Sequence, residues 1–154
     1  MPTFNAISRF VALTVGVAGF SVGVIAAPLE GWSVDLNRAF QRAKTENKSV
    51  LVEFTGTDWC PPCVTMRNNV FSKKEFVAAA SKKFILVELD VPKGDQALKQ
   101  KNAPLAEKYK IVRFPTVILF TPKGKEYERF FASAYPQVDG FLKHLDASLK
   151  AATP

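Results

Sequence analysis

The sequence predicts a single-domain α/β protein, a three-layer α/β/α sandwich around a central mixed sheet of about four strands. Short apolar runs rich in Val, Ile and Leu alternate with segments of helical periodicity, as expected of strands joined through helices. Only the turn at 121–124 separates the last two strand-like runs, so these should form a hairpin. Crossover connections give parallel strands and a hairpin gives antiparallel ones, so the sheet should be mixed.

Four runs are predicted to be strands because they are short and rich in β-branched, aromatic or other apolar residues. They cover residues 49–55, 83–90, 116–120 and 126–132. The first two are apolar at nearly every position, which indicates burial on both faces. The fourth alternates and should pair with the third as a hairpin.

Helices are predicted between and around these runs. Ser33 is a candidate N-cap for a helix that ends near residue 46. Ser72 and Glu75 have the S-x-x-E spacing of a capping box, which predicts a helix through residue 80. Further helices are predicted at 60–70, at 104–109 and from Pro136 onward, with a short helical piece near 96–101 inside the polar stretch 91–103.

The first residues are predicted to be an export signal. Arg9 is followed by an apolar run over 10–27 that contains no charged residue, and small side chains stand at Val24 and Ala26. This is the order of regions in a secretory signal peptide, so we expect residues 1–26 to be removed and 27–154 to form the domain. An uncleaved membrane anchor is the alternative. Either way, the domain is expected to be periplasmic or otherwise extracytoplasmic.

The charge balance is basic, with a net charge of +7 and a pI of about 9.5. Most lysines occur in short pairs, such as Lys73–Lys74 and Lys82–Lys83, that are spread along the chain. Nucleic-acid binding would favour basic residues that cluster on one element together with aromatics, so we expect no nucleic-acid partner. A basic surface can still attract acidic proteins.

The chain has two cysteines, Cys60 and Cys63, with the spacing C-x-x-C. Residues three apart at the start of a helix share one face, and their Cα atoms lie about 5–6 Å apart, close enough for a disulfide. Cys60 should meet the free N–H groups and the positive dipole end of the helix, which stabilise a thiolate. We therefore expect Cys60 to be the nucleophile and Cys63 the resolving cysteine.

Three other interpretations of the cysteine pair remain open. A zinc site needs four ligands, and His144, expected at the surface of the last helix, is the sole histidine. A purely structural disulfide would close a very small loop and restrict the unfolded chain little. The cysteines could also be reduced and unrelated. We favour a redox pair, and expect neither a metal nor an organic cofactor.

Two segments carry a resemblance to a known family. Residues 51–63 (LVEFTGTDWCPPC) and 109–120 (YKIVRFPTVILF) resemble the active-site strand and the cis-proline segment of the thioredoxin family. The resemblance extends over about residues 33–150. It is nearest to the soluble thioredoxin-like domains of extracytoplasmic thiol–disulfide interchange proteins, and implies a thioredoxin-like sandwich.

The resemblance also implies roles for residues around the cysteines. Pro115 would be cis and would present its backbone to a bound substrate strand, with Phe114 in contact with that substrate. Trp59 would shield the sulfurs. Pro61 and Pro62, between the cysteines, complete the expected substrate-binding set.

Glu53 is the expected proton carrier, because the family has a buried carboxylate on this strand that serves the resolving cysteine. Glu53 is seven residues before Cys60, one more than in thioredoxin. If the extra residue lies in the loop 56–59, Glu53 keeps its place, whereas a shift within the strand would turn its side chain to the other face. Asp58 is a second, weaker candidate.

The expected activity is dithiol–disulfide exchange on protein substrates. The family neighbours favour a reductase of protein disulfides that is supplied by a membrane electron donor. A disulfide oxidase or isomerase is the alternative within the enzyme class. A redox-inert adaptor or chaperone is the alternative outside it. We expect a monomer that meets a membrane only through an uncleaved leader.

Overall fold

In the computed structural model, which describes residues 27–152, four strands form one sheet in the order β2-β1-β3-β4. The strands are β1 (Ser49–Thr55), β2 (Phe84–Asp90), β3 (Thr116–Phe120) and β4 (Glu126–Phe131). β1 pairs with β2 in parallel and with β3 antiparallel, and β3 and β4 form the antiparallel hairpin. The predicted mixed four-stranded sheet is confirmed. The predicted leader lies outside the described residues.

Five α-helices surround the sheet in the described part of the chain. They are α1 (Leu36–Glu46), α2 (Pro61–Met66), α3 (Lys74–Ala80), α4 (Gln96–Lys108) and α5 (Val138–Ala152). A π-helical turn, Arg67–Phe71, continues α2, and a short 3-10 turn, Ala132–Ala134, follows β4. Within residues 27–152, none of these helices combines the length and apolarity needed to cross a membrane.

Side chains that alternate along the strands divide the core into two layers. One face of the sheet, including Leu51 and Val117, packs on the aromatic cluster of Phe71, Phe76 and Phe141. The other face packs on α1 and α4. Small side chains let these two helices lie close to the sheet, and they are Ala39, Ala43 and Ala106. Helices therefore cover both faces, as the three-layer prediction requires.

The first helix is capped by Asp35 rather than by Ser33, which corrects the prediction. The Arg38 N–H donates to Asp35 Oδ1 at 3.0 Å. Ser33 is too early because its extended backbone pairs with β2, where its N–H donates to the Leu86 carbonyl at 2.8 Å.

The predicted capping box at Ser72 and Glu75 is wrong. Ser72 is instead the C-cap of the π-helical turn, and its N–H donates to the Arg67 carbonyl at 2.9 Å. α3 begins two residues later, and its N-cap, Lys73, makes no side-chain capping bond. The wider turn also leaves Val70 and Phe71 both fully buried, although they are consecutive in the chain.

α4 is one continuous helix of 13 residues, where the sequence predicted two short pieces. Asp95 caps its start by accepting the Leu98 N–H at 2.9 Å. Pro104 lies inside the helix and removes one helical hydrogen bond without ending it. Asn102 helps to hold the helix, since its buried side-chain amide donates to the Asp90 carbonyl at 2.7 Å.

Candidate active site

The two cysteines lie where β1 passes into α2. Cys60 is the N-cap residue of α2, and Cys63 lies in its first turn. Their sulfurs are joined in a disulfide, with the two Cα atoms 5.2 Å apart. The expectation that the C-x-x-C spacing at a helix start brings the sulfurs together is confirmed, and the described structure is the oxidised form.

The start of α2 directs one backbone hydrogen-bond donor at the Cys60 sulfur. The Cys63 N–H lies 3.3 Å from Cys60 Sγ and donates to it. Pro61 and Pro62 occupy the first helical positions, where a missing N–H costs no helical hydrogen bond, and both are exposed. When the disulfide is opened, the same donor would stabilise a thiolate on Cys60. Cys63 is fully buried, whereas Cys60 keeps a small exposed fraction.

Trp59 is fixed beside the disulfide at the rim of the site. Its ring meets the Phe114 ring edge-to-face at 5.3 Å, and its indole N–H donates to the Val91 carbonyl at 2.8 Å. Gly56 makes this packing possible, because a Cβ at this position would lie 2.4 Å from Trp59 Cε2. The exposed fraction of Trp59 is 36%. An aromatic surface therefore borders the cysteines.

The segment before β3 contributes the other side of the rim. The Phe114–Pro115 peptide bond is cis, the geometry that the resemblance implies. Thr116 anchors the segment, since its hydroxyl donates to the Arg113 carbonyl at 2.7 Å. Val112, two residues before Phe114, is the most exposed large apolar side chain of the described residues, at 86%.

Glu53 is completely buried in the middle of β1. The register from Glu53 to Thr55 runs without a bulge against β2, so the extra residue before Cys60 falls in the loop 56–59. Glu53 points to the same face as Leu51, the face that packs on α2 residue Met66. Neither carboxylate oxygen has a hydrogen-bond partner within residues 27–152. Burial raises the pKa of Glu53 well above its usual value, and the nearby Glu88 carboxylate adds to the rise.

Sequence reasoning missed an ion pair behind the cysteine helix. The Arg67 guanidinium, at the start of the π-helical turn, bonds to the carboxylate of Glu88 on β2. Glu88 is the register neighbour of Glu53. Burial raises the pKa of Glu88, although the Arg67 charge opposes the rise. A glutamate inside the otherwise apolar run 84–89 is the signal that could have revealed the pair.

Asp58 does not share this buried position, so the weaker proton-carrier candidate is corrected. Its exposed carboxylate accepts the N–H groups of Lys93 and Gly94, at 2.9 and 2.6 Å. Partial burial acts to raise the pKa of Asp58, but the two backbone N–H donations outweigh it and lower the pKa. Asp58 therefore serves to hold the loop 91–94 beside Trp59.

His144 is half-buried, not a surface residue as predicted. Its ring stacks on Tyr135 with centroids 4.1 Å apart, and its Nε2 lies 2.9 Å from Glu128 Oε1. The ring packs against β4, where it meets the Phe130 ring edge-to-face. Across residues 27–152, no three His, Cys, Asp or Glu side chains gather as metal ligands.

Fold and site together define a class: a thioredoxin fold with a disulfide-forming Cys-x-x-Cys pair at the start of a helix and a cis-proline before β3. The chain belongs to the thioredoxin-like family, whose sequence profile matches residues 31–122. The family resemblance stated from the sequence is therefore confirmed.

Comparison with known proteins gives relatives with disulfide-related names. The chain is 33% identical to the thioredoxin-related protein DsbJ of Chlamydia pneumoniae over 64% of this chain and 29% of DsbJ. It is 31% identical to the disulfide bond reductase DsbH of Chlamydia pneumoniae over 59% of this chain and 57% of DsbH. The chain thus spans less than two thirds of each of these relatives.

A solved structure described as the DsbH oxidoreductase has a similar fold. It superposes with a TM-score of 0.69 and 26% identity, and the match covers 86% of this chain and 95% of that structure. The similarity therefore extends over most of this chain and not only over the cysteine motif.

Proposed function

We propose that this protein is an extracytoplasmic thiol–disulfide oxidoreductase that reduces the disulfides of protein substrates. The observation that carries the proposal is the Cys60–Cys63 disulfide at the start of α2, with the Cys60 sulfur at the helix N-terminus. The name of the relative DsbH, a disulfide bond reductase, supports the direction of electron flow.

Reduction would proceed in two exchange steps. In the reduced protein, the Cys60 thiolate attacks one sulfur of a substrate disulfide. A mixed disulfide forms and the other substrate sulfur leaves as a thiolate. Cys63 then attacks the Cys60 sulfur, which closes the Cys60–Cys63 disulfide and releases the second substrate sulfur. The two electrons that reduce the substrate come from the two protein thiols, and no organic cofactor takes part.

Glu53 would accept the proton that Cys63 must lose before it attacks. Cys63 is buried beneath the surface, so water reaches its thiol poorly. Glu53 lies in the layer beneath α2, and burial raises its pKa, which makes its carboxylate a stronger base than that of an ordinary glutamate. The absence of a hydrogen-bond partner leaves both of its oxygens free to take a proton.

The substrate would bind along the rim formed by Trp59, Pro61, Pro62, Phe114 and Pro115. The two prolines are exposed between the cysteines, and Trp59 with Phe114 forms the aromatic border. An extended substrate segment laid across this rim would bring its sulfur to Cys60. The apolar contacts would supply affinity without selecting one sequence.

The cell compartment and the electron supply belong to the same proposal. The apolar leader supports export of the domain, with either cleavage after residue 26 or retention as an anchor. A reductase outside the cytoplasm needs reducing equivalents, so we propose a membrane electron donor that reduces the Cys60–Cys63 disulfide. The domain would work as a monomer.

Insulin reduction in the presence of dithiothreitol tests the activity. Wild type should accelerate the precipitation of reduced insulin, and Cys60→Ser should lower the rate to background. The redox-inert adaptor would give the background rate in both. A double variant of the distant residues Lys123→Gln and Lys125→Gln is the matched control and should keep the wild-type rate.

Trapping of intermediates tests the substrate class. Cys63→Ser should accumulate mixed disulfides between Cys60 and exported proteins, because the resolving thiol is missing. Cys60→Ser should accumulate none. In cells, a wild-type protein that stays reduced would support the reductase, whereas one that stays oxidised would favour a disulfide oxidase.

A further inference from the structure

A second carboxylate and a guanidinium lie beside Glu53. Glu53 on β1 and Glu88 on β2 are register neighbours in a parallel pair, so their side chains project from the same face of the sheet. Arg67, four residues after Cys63, bonds to Glu88 from the helix layer above. Two acidic groups and one basic group therefore meet behind the cysteine helix.

The pair is closed off from solvent by the first described residues of the chain. The Leu29 N–H donates to Glu88 Oε2 at 3.4 Å, and Arg67 donates to the Ala27 carbonyl. The exposed fractions are 5% for the Glu88 side chain and 19% for that of Arg67. Trp32 strengthens the closure by donating its indole N–H to the Phe71 carbonyl at 3.2 Å. The charges are thus fixed in place.

Stability alone gives a weak reason for this pair. Apolar side chains at buried positions are often as stabilising as an ion pair, because two charges lose their hydration on burial. A functional reason lies one strand away. The ionised Glu88 opposes ionisation of Glu53, and Arg67 favours it. Both effects are strong where water is excluded.

The other groups around Glu53 have weaker effects on its ionisation than the charges of Arg67 and Glu88. Asp90, further along β2, adds weakly to the rise in the pKa of Glu53. Asp90 is itself occupied by the Thr57 N–H, at 3.0 Å. On β3 the register neighbour is the uncharged Val117. On α2 the ionisable group is Cys63, and its redox partner Cys60 is the N-cap of that helix.

We propose that Arg67 and Glu88 are positioning residues that fix, through their charges, the pH range in which Glu53 takes the proton of Cys63. The proposal rests on the proposed exchange reaction. In the resolving step, the Cys63 proton moves to Glu53 and the bond between Cys60 and the substrate sulfur breaks. The Cys60–Cys63 bond forms, and the substrate sulfur leaves as a thiolate.

The two partners of this ion pair should have opposite effects, which a merely structural pair would not show. Glu88→Gln removes the negative charge beside Glu53 and keeps Arg67. The remaining carboxyl group, that of Glu53, should therefore lose its proton at lower pH than in the wild type. Arg67→Met leaves the Glu53 and Glu88 carboxyl groups side by side without a cation. The second of their two protons should therefore be lost at higher pH than in the wild type. Each shift should be about one pH unit, the size that one close charge produces.

Two readouts on the pre-reduced full domain test the proposal. Carbon NMR of labelled glutamate carboxyls measures the pH at which Glu53 and Glu88 lose their protons. Single-turnover reduction of a disulfide peptide gives the pH–rate profile. Arg67→Lys keeps the charge and should keep the wild-type midpoints. The exposed pair Arg42–Glu46 supplies matched controls, Arg42→Met and Glu46→Gln, which should move neither midpoint.

The outcomes separate the inference from the proposed function. Opposite shifts in both readouts support the positioning role. Shifts of the same sign, or none, in the NMR titration overturn it even if the wild type reduces the peptide. In a third outcome, Glu88→Gln and Arg67→Met shift the NMR titration in opposite directions, but the wild type does not reduce the peptide. This outcome overturns the proposed function and, with it, the proton transfer from Cys63 to Glu53.

Discussion

Replacement of Glu53 by Gln should change how the stability of the oxidised protein depends on pH. Burial raises the pKa of Glu53 well above its usual 4.5, so the folded protein holds a proton that the unfolded chain has released. The stabilisation that this proton gives to the fold is complete below pH 4.5. It is lost as the pH rises through the pKa of Glu53 in the folded protein. Over this window, one extra bound proton lowers the free energy of unfolding by about 1.4 kcal/mol per pH unit.

The variant should lack this loss, since Gln does not titrate. The two curves should therefore separate by about 1.4 kcal/mol for each pH unit within the window. The buried amide of Gln adds an offset that does not vary with pH, so the slope is diagnostic and the offset is not. Glu88 contributes a similar slope in both proteins and largely cancels in the difference.

Urea denaturation at half-unit steps from pH 4.5 to 8.5 measures the slopes, followed by tryptophan fluorescence. Exposed Glu107→Gln on α4 is the matched control and should run parallel to the wild type. If the Glu53→Gln and wild-type curves also run parallel, Glu53 does not carry an extra proton in the fold, and the reasoning on its burial is refuted.

Three further substitutions test the packing around the site. Phe71→Ala should lower the free energy of unfolding by about 3–5 kcal/mol, measured by urea denaturation, because the fully buried ring contacts Trp32, Phe76 and Phe141; a loss under 1 kcal/mol would contradict this. Gly56→Ala should displace the Trp59 ring, which changes its fluorescence and slows insulin reduction. An unchanged spectrum would contradict this, because the backbone of the loop would then have moved to accommodate the methyl group. Asp58→Asn should speed hydrogen exchange of the Lys93 and Gly94 amides, since it weakens their acceptor, and equal exchange rates would contradict the role assigned to Asp58.

Much of the fold could be predicted from the sequence because local pattern and global structure agree. The apolar runs at 49–55 and 116–120 became strands with those bounds. Cys60 and Cys63 could be placed because helix geometry alone fixes residues three apart. The burial of Glu53 could only be framed as an open question, since it depended on where one extra residue falls.

The parts that could not be predicted depend on contacts between distant segments. The Arg67–Glu88 pair needs both the register of β1 against β2 and the wider π-helical turn, and neither has a local signature. Asp35 replaces Ser33 as the cap because the Ser33 backbone is used by β2. α4 continues through Pro104 because Asn102 ties the helix to the end of β2, whereas local propensity predicts an interruption there.

The acidity of the Cys60 thiol tests the central claim most directly. In the Cys63→Ser protein, Cys60 is the sole thiol, and the pH dependence of its alkylation by iodoacetamide gives its ionisation midpoint. The position of Cys60 as N-cap of α2 predicts a midpoint clearly below that of a free cysteine. A midpoint of ~8.5 or higher would contradict the account, because the helix start would then give Cys60 no advantage as a nucleophile.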